Sequence, residues 1–324
     1  MTMALANAPK TTGTRLVSLA DVRRAAGIIA KVVVRTPLLP LRGEDRPDVF
    51  LKCENLQRTG AFKIRGAYHK IAKLPRECPG VVAYSSGNHA QAVALAAKLR
   101  GLPACIVMFD ASVPLKVEAT RAHGAEIVFG GGTSEAIRAR AEGVAQERGW
   151  TIVAPFDDPD VIAGQGTVGL EILEDLPETA AIVIPVGGGG LLAGVAAAAK
   201  GVNPRVRIYA VEPEGAASMR LALHEGRPVA LPKTDTVADG LMALRVGERT
   251  LAHAQALMDD LVLVSDAEIL ETARHLLRRE KLVVEPSGAA ALAAIRTGRL
   301  ALPPGPVVAV LSGGNADLKR LNGK

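Results

Sequence analysis

Aromatic side chains make up only 3% of the 324 residues, and cysteine occurs three times, at Cys53, Cys78 and Cys105. The cysteines are unclustered, and no C-x-x-C or Cys/His spacing suits zinc, which argues against a disulfide framework or a zinc module. A reduced, cytoplasmic protein is the expected setting. Few aromatics also means few stacking platforms, and the net charge of +6 is spread along the chain, so no nucleic-acid surface is expected. The densest basic stretch, residues 274–281, includes Leu276 and Leu277, with Leu282 beyond, at helical spacing. That is the pattern of a solvated helix face. No apolar run reaches the roughly 18 residues of a membrane span. Residues 1–15 lack the apolar segment of a signal peptide and read as a frayed tail.

What is present is an ordinary globular composition, 48% hydrophobic and 22% charged, with length enough for two domains. Short β-branched runs are expected as strands at 49–52, 81–84, 104–109, 126–129, 151–154, 181–186, 206–211, 261–264 and 307–311. Alanine-rich helical patterns lie between them at 88–98, 134–147, 162–173, 191–200 and 267–279. Strand–helix alternation with nearly unbroken apolar strands implies an α/β protein with parallel sheets covered on both faces. Ser265-Asp-Ala-Glu268 reads as a capping box, and Ser18-Leu-Ala-Asp21 reads similarly. No Pro/Ser linker divides the chain. In such sheets ligands gather beyond the carboxyl ends of the strands.

Four motifs fall at such places. In Val183-Ile-Pro-Val-Gly-Gly-Gly-Gly-Leu-Leu-Ala-Gly194 a buried strand runs through four glycines into a helix. Bare backbone and a helix N-terminus suit an anion such as phosphate, and four glycines are entropically costly for a plain turn. A G-x-G-x-x-G/A fingerprint can start at Gly188 and end at Ala193, with Glu212 closing the next strand. A nicotinamide-dependent dehydrogenase therefore stays open on this motif alone. The second motif is Leu51-Lys-Cys-Glu-Asn-Leu-Gln-Arg-Thr-Gly-Ala-Phe-Lys63-Ile-Arg-Gly-Ala67, in which Lys63 alone would read as a solvated lysine. The third, Ser85-Ser-Gly-Asn-His-Ala-Gln91, offers hydroxyls and N–H groups to a carboxylate at a helix start; His89 reads as structural. The fourth is Val310-Leu-Ser-Gly-Gly-Asn315.

Taken together and in this order, the four motifs resemble the threonine/serine dehydratase (ammonia-lyase) group of fold-type-II pyridoxal 5′-phosphate (PLP) enzymes, which includes serine racemases. Pro155-Phe-Asp-Asp-Pro-Asp-Val-Ile-Ala-Gly-Gln-Gly-Thr167, Glu285-Pro-Ser-Gly288 and Asp239-Gly240 add to the resemblance, which spans roughly residues 15–320. It implies a tryptophan-synthase-β-like fold of two open, twisted, mostly parallel sheets with helices on both faces. A large PLP-binding domain would comprise 1–67 and 156–324, and a small domain 68–155. It implies PLP held by Lys63 as a Schiff base, Phe62 lining the ring pocket, Asn88 at the 3′ oxygen and Ser312 at the pyridine nitrogen. Gly187, Gly188, Gly189, Gly190 and Leu191 would cradle the phosphate. Ser85, Ser86, Gly87, Asn88 and Gln91 would surround the substrate carboxylate.

A hydroxyl at the ring nitrogen cannot hold a proton there as an aspartate would, so the cofactor is a weaker electron sink and β-elimination is favoured. Lys63, with its pKa depressed by burial, is the natural α-proton base. The implied reaction turns L-threonine or L-serine into a 2-oxo acid and ammonia. The alternatives are a serine racemase, a dehydratase of hydroxyaspartate or phenylserine, and a non-catalytic binding protein. Phe156 follows the threonine-dehydratase type, whereas Ser86 is the residue type that racemases use as a second acid/base. Racemase-like members bind a divalent cation at positions matching Glu212 and Ala216. Here Ser218 replaces their aspartate, which leaves few of the oxygens a hard cation prefers. A small β-hydroxy amino acid is the expected partner, in a homodimer or homotetramer. Little length remains after Ser312 for the regulatory domain of biosynthetic threonine dehydratases.

Overall fold

Alternation of apolar runs with alanine-rich segments produces ten strands and eleven α-helices among residues 13–42 and 48–318, which the computed structural model describes. The strands are β1 (Leu38–Pro40), β2 (Val49–Lys52), β3 (Val81–Tyr84), β4 (Ala104–Met108), β5 (Glu126–Phe129), β6 (Thr151–Ile152), β7 (Ala181–Pro185), β8 (Arg207–Pro213), β9 (Asp260–Val264) and β10 (Val307–Val310). The helices are α1 (Leu19–Ile29), α2 (Lys63–Ala72), α3 (Asn88–Arg100), α4 (Pro114–Arg121), α5 (Ser134–Arg148), α6 (Pro159–Asp175), α7 (Gly190–Val202), α8 (Ser218–Glu225), α9 (Glu248–Leu257), α10 (Asp266–His275) and α11 (Pro286–Arg296).

The strands form two sheets. The larger has the order β1-β2-β10-β7-β8-β9, and the smaller has the order β5-β4-β3-β6. Every neighbouring pair is parallel except β1 with β2. Strands buried on both faces, such as β4 and β7, are apolar throughout, as parallel sheets covered by helices require. All strands of the smaller sheet fall between residues 81 and 152. Helix α2 lies across the expected division at residue 67 and packs on both α6 and α3. Of the expected tail, residues 1–12 lie outside the described residues.

Both expected capping boxes form, at Ser18–Asp21 and Ser265–Glu268. The helix expected over 267–279 ends earlier. After His275 the chain makes a π-type turn, Leu276–Glu280, which stops at Lys281 with φ 61°. The strand expected over 151–154 shortens to Thr151–Ile152, and the backbone then leaves the sheet. Helices α6 and α7 cross closely because they meet at glycines. A Cβ on Gly194 would stand 2.3 Å from Ile162 O and 2.5 Å from Gly166 N, so any larger side chain would force the helices apart.

Beneath α2 lies a buried ion cluster. The Arg65 guanidinium donates to both oxygens of Glu54 at 2.8 Å and to Glu171 at 2.7 and 2.9 Å. Lys52 Nζ donates to Glu171 at 2.6 Å and to Thr36 O at 2.7 Å. Two cations thus face two carboxylates, and Arg65, Lys52 and Glu54 are fully buried. Elsewhere, Val17 N–H donates to His253 Nε2 at 2.8 Å, while His253 Nδ1 donates to Arg249 O at 2.6 Å. His253 is therefore neutral, and burial lowers its pKa.

Candidate active site

The loops at the carboxyl ends of both sheets converge. Strand β7 leads through Val186 into Gly187–Gly190 and so into α7. The first N–H groups of a helix have no carbonyl one turn back to accept them, so this loop presents unpaired donors. Its glycines are needed sterically. A Cβ on Gly188 would lie 2.1 Å from the Phe156 ring, and one on Gly190 would lie 2.9 Å from Phe156 Cβ. Gly189 has φ +91°, and a Cβ there would meet Met219 and Thr250 at 2.8 Å. Thr250 Oγ1 donates to Gly188 O at 2.8 Å. Asp157, next to Phe156, accepts from Arg249 N and Thr250 N at 3.0 and 3.2 Å. The glycine loop is thus held from outside by Phe156 and α9, and its inner side is bare backbone suited to an anion.

Lys63 opens α2. Its amine donates to Pro155 O at 2.8 Å, just where the chain has left β6, and lies 5.2 Å from the centre of the Phe62 ring. Burial lowers its pKa from 10.5 to about 8. His89 is buried on the first turn of α3, and Nε2 donates to Val153 O at 2.9 Å. Burial and then the nearby Lys63 charge push its pKa down to about 3, so it stays neutral. This agrees with a structural histidine.

Asn315 Nδ2 donates to Asn88 Oδ1 at 2.8 Å, and Asn88 Nδ2 donates to Glu285 Oε1 at 2.6 Å. This chain fixes which way the Asn88 amide points. Burial, then the neighbouring Asp239 charge, raises the Glu285 pKa to about 7. Phe62 N–H donates to the carbonyl of buried Ser312 at 3.1 Å, and Ala61 bridges Gly313. The Lys63 and Ser312 loops are therefore joined by backbone. Gly87 N–H donates to Ser85 Oγ at 3.2 Å. Ser86 Oγ accepts from Phe109 N–H at 3.0 Å and lies 2.6 Å from Ser112 Oγ. Gln91 is buried on α3. An ion pair between Lys116 of α4 and Asp239 reaches across from the smaller sheet's half.

Glu212 sits behind the glycine loop, at the end of β8. Its carboxylate accepts from Met219 N and Arg220 N at 2.7 and 3.0 Å, and so caps α8. Burial pushes its pKa up to about 8 against those N–H groups. Ser218 Oγ is buried without a hydrogen-bond partner among the described residues. Among those residues no group of three or more His, Cys, Asp or Glu is arranged to hold a metal. No helix among them is long and apolar enough to cross a membrane.

Residues 29–313 match the profile of the family described as pyridoxal-phosphate dependent enzyme. The chain belongs to that family. A relative named L-threonine ammonia-lyase from Geobacter sulfurreducens is 47% identical over 276 residues, covering 85% of this chain and 69% of the relative. One named L-threonine dehydratase catabolic TdcB from Staphylococcus aureus is 41% identical, covering 95% of this chain and 92% of the relative. Among solved structures, a maize serine racemase superposes with a TM-score of 0.91 at 39% identity, covering 95% of this chain and 97% of that one. A threonine deaminase from T.th. superposes with a TM-score of 0.88 at 43% identity, covering 93% and 99%. The fold is that of fold-type-II PLP enzymes.

Within this PLP enzyme, the structure gathers Lys63, Phe62, Asn88, Ser312 and the loop from Ser85 to Gln91 through the bonds given above, and none of those bonds reaches Glu212, Ala216 or Ser218. Glu285, Asn315, Thr250, Ser112 and the Lys116–Asp239 pair join them without being expected as site residues. Glu285 and Asp239 stand in motifs noted only as resemblances. Asn315 ends the fourth motif. Thr250 and Ser112 carry no signal in the sequence.

Proposed function

We propose that this chain is a PLP-dependent ammonia-lyase that dehydrates and deaminates L-threonine or L-serine to a 2-oxo acid and ammonia. The observation that carries this reading is the half-buried Lys63 amine, held by Pro155 O at 2.8 Å and lowered to about 8 beside the loops described above. At pH 7 such an amine is neutral in about 10% of molecules, against about 0.03% for an ordinary lysine. A neutral amine is what both condensation with a carbonyl and proton abstraction require.

The residues fit the cofactor. Gly187, Gly188, Gly189 and Gly190 pack so closely on their outer side that a Cβ would meet Leu241, Phe156, Met219 or Thr250, which leaves bare backbone on the inner side; with Leu191, the first turn of α7 would hold the phosphate. Phe62 would lie against the ring, Asn88 would donate to its phenolic oxygen, and Ser312 would meet its nitrogen. When bound, the cofactor supplies the electron sink for the pair left by the α-proton. Ser85, Gly87, Asn88 and Gln91 would hold the substrate carboxylate at the start of α3. Lys63 Nζ takes the α-proton. The β C–O bond breaks and hydroxide leaves as water with a proton from solvent, which the Lys63 ammonium replaces; the released enamine tautomerises to an imine, and water hydrolyses it to the 2-oxo acid and ammonia.

The relatives named for L-threonine support threonine as substrate. A homo-oligomer in the cytoplasm, with the 68–155 segment as the smaller domain, completes the proposal. The test uses the purified full chain. An absorption band near ~410 nm that borohydride bleaches is expected, together with 2-oxo acid release from threonine or serine. Hydroxyaspartate and phenylserine serve as competitors for substrate choice. A bleachable band that survives in Lys63→Ala would overturn the assignment.

A further inference from the structure

Ser112 lies on the loop between β4 and α4, and its hydroxyl donates to Phe109 O at 2.6 Å. The Ser86 hydroxyl is 2.6 Å from Ser112 Oγ and accepts Phe109 N–H at 3.0 Å. A serine hydroxyl has one hydrogen and two lone pairs. Because Ser112 gives its only hydrogen to a carbonyl, the short contact between the two serines carries the Ser86 hydrogen. The ring therefore runs from Phe109 N–H to Ser86, from Ser86 to Ser112, and from Ser112 back to Phe109 O. Ser86 keeps one free lone pair and no free hydrogen.

We propose that Ser112 is a positioning residue that keeps the chain an eliminating enzyme by holding the Ser86 hydrogen away from the substrate. This rests on the ammonia-lyase reading, in which the Ser85–Gln91 turn binds the substrate carboxylate and Lys63 removes the α-proton. Elimination needs no further donor to the α-carbon. Inversion needs one. The C–H bond breaks and its proton goes to Lys63 Nζ. A new C–H bond then forms on the other face with a hydrogen from a different group, which recovers its proton from the Lys63 ammonium through solvent. Under the ammonia-lyase reading Ser86 lies in the carboxylate-binding turn, next to Gly87 and Asn88, and its hydroxyl is the group we assign to that delivery. Its hydrogen, however, is committed to Ser112. The neighbouring Ser85 hydroxyl accepts from Gly87 N–H and keeps its hydrogen for the carboxylate.

The experiment follows L-serine with the full holoenzyme in deuterated water. It measures the ratio of D-serine, and of deuterium at the α-carbon of recovered serine, to 2-oxo acid. In Ser112→Ala this ratio is expected to rise about fivefold or more, the factor that matches the loss of one hydrogen bond of about 1 kcal/mol. Ser112→Thr keeps a hydroxyl and should return the wild-type ratio. Adding Ser86→Ala to Ser112→Ala should abolish the rise. A merely structural loop residue would lower both products together and leave the ratio unmoved. If Ser112→Ala does not fold, Ser112→Cys, whose sulfur is a weak acceptor, must show the rise instead. An unchanged ratio in a variant that still releases 2-oxo acid overturns the proposal, as does a rise that persists without Ser86. A wild-type chain with no bleachable band and no 2-oxo acid release would instead sink the ammonia-lyase reading itself.

Discussion

Replacing Arg65 by methionine removes one of the two cations in the ion cluster beneath α2. Methionine approximates the arginine stem, so the main change is electrostatic. The Arg65 side chain makes four hydrogen bonds to the Glu54 and Glu171 carboxylates and one to Thr167 Oγ1 at 3.1 Å. Without it, two carboxylates share Lys52 alone, and the cluster changes from neutral to one net negative charge. Stranding a buried charge in this way costs about 3–5 kcal/mol. Glu54 reports the same balance. Burial alone would raise its pKa, but the Arg65 charge and hydrogen bonds outweigh it, and the net shift is downward. A depressed carboxylate stabilises above its unfolded pKa of about 4.3 and loses that contribution as pH falls through the folded value. In Arg65→Met the shift reverses, so Glu54 takes a proton readily and the stability deficit narrows on acidification from pH 7. Urea unfolding followed by circular dichroism at pH 7 and pH 5 measures both effects. Adding Glu54→Gln to Arg65→Met restores one cation against one anion, and the double variant should be more stable than Arg65→Met alone. A deficit below about 1 kcal/mol at pH 7, or a second substitution that simply adds its own loss, would refute this account of the cluster.

Three further outcomes follow from the site. Gly188→Ala places a Cβ 2.1 Å from the Phe156 ring, against an ordinary contact of about 3.5–4.0 Å. Overpacking of about 1–3 kcal/mol should weaken PLP binding about tenfold in an absorbance titration, with partial recovery on adding Phe156→Leu; unchanged affinity would contradict the cradle. The rate at which the cofactor-free chain takes up PLP should rise with pH through about 8, the value for Lys63, because only the neutral amine condenses. A rise centred near pH 10 would show an unperturbed lysine. Glu285, raised to about 7, stabilises fully below its unfolded pKa of about 4.3 and loses that contribution as pH climbs through 7. Glu285→Gln should therefore gain about 2–3 kcal/mol relative to wild type between pH 5 and pH 8.5, read from unfolding curves, and equal pH dependence in both would argue against a protonated Glu285.

How much of the molecule is legible in its sequence follows from the range of the forces involved. Inner strands such as β4, β7 and β10 stand out because they are buried on both faces and apolar throughout, whereas the short antiparallel edge strand β1 does not. The glycine loop stands out because only backbone fits between Phe156 and an anion. The sequence pattern overextends helix α10: it continues through Leu276 and Leu277, whereas the backbone widens into a π-type turn and stops at Lys281. Helices α4, α8, α9 and α11 do not emerge as elements from the sequence, since their short segments carry mixed polarity or, in α11, continuous alanine without a stripe. The links among Asn88, Glu285 and Asn315 join residues 197 and 227 positions apart. Nothing local encodes such a bond. The pairing of Ser86 with Ser112 is invisible for the same reason, because it depends on how two loops of the smaller sheet meet.

The bond from Val17 to His253 has a practical side. Val17 immediately precedes Ser18, the cap of α1, and His253 belongs to the same helix as Thr250, whose hydroxyl holds the Gly188 carbonyl. A chain cut back past Val17, or a tag fused there, removes a stitch whose thread ends at the glycine loop. Acid unpicks the same stitch, since a protonated Nε2 can no longer accept. Shortened or acid-treated preparations should therefore shed PLP before they unfold.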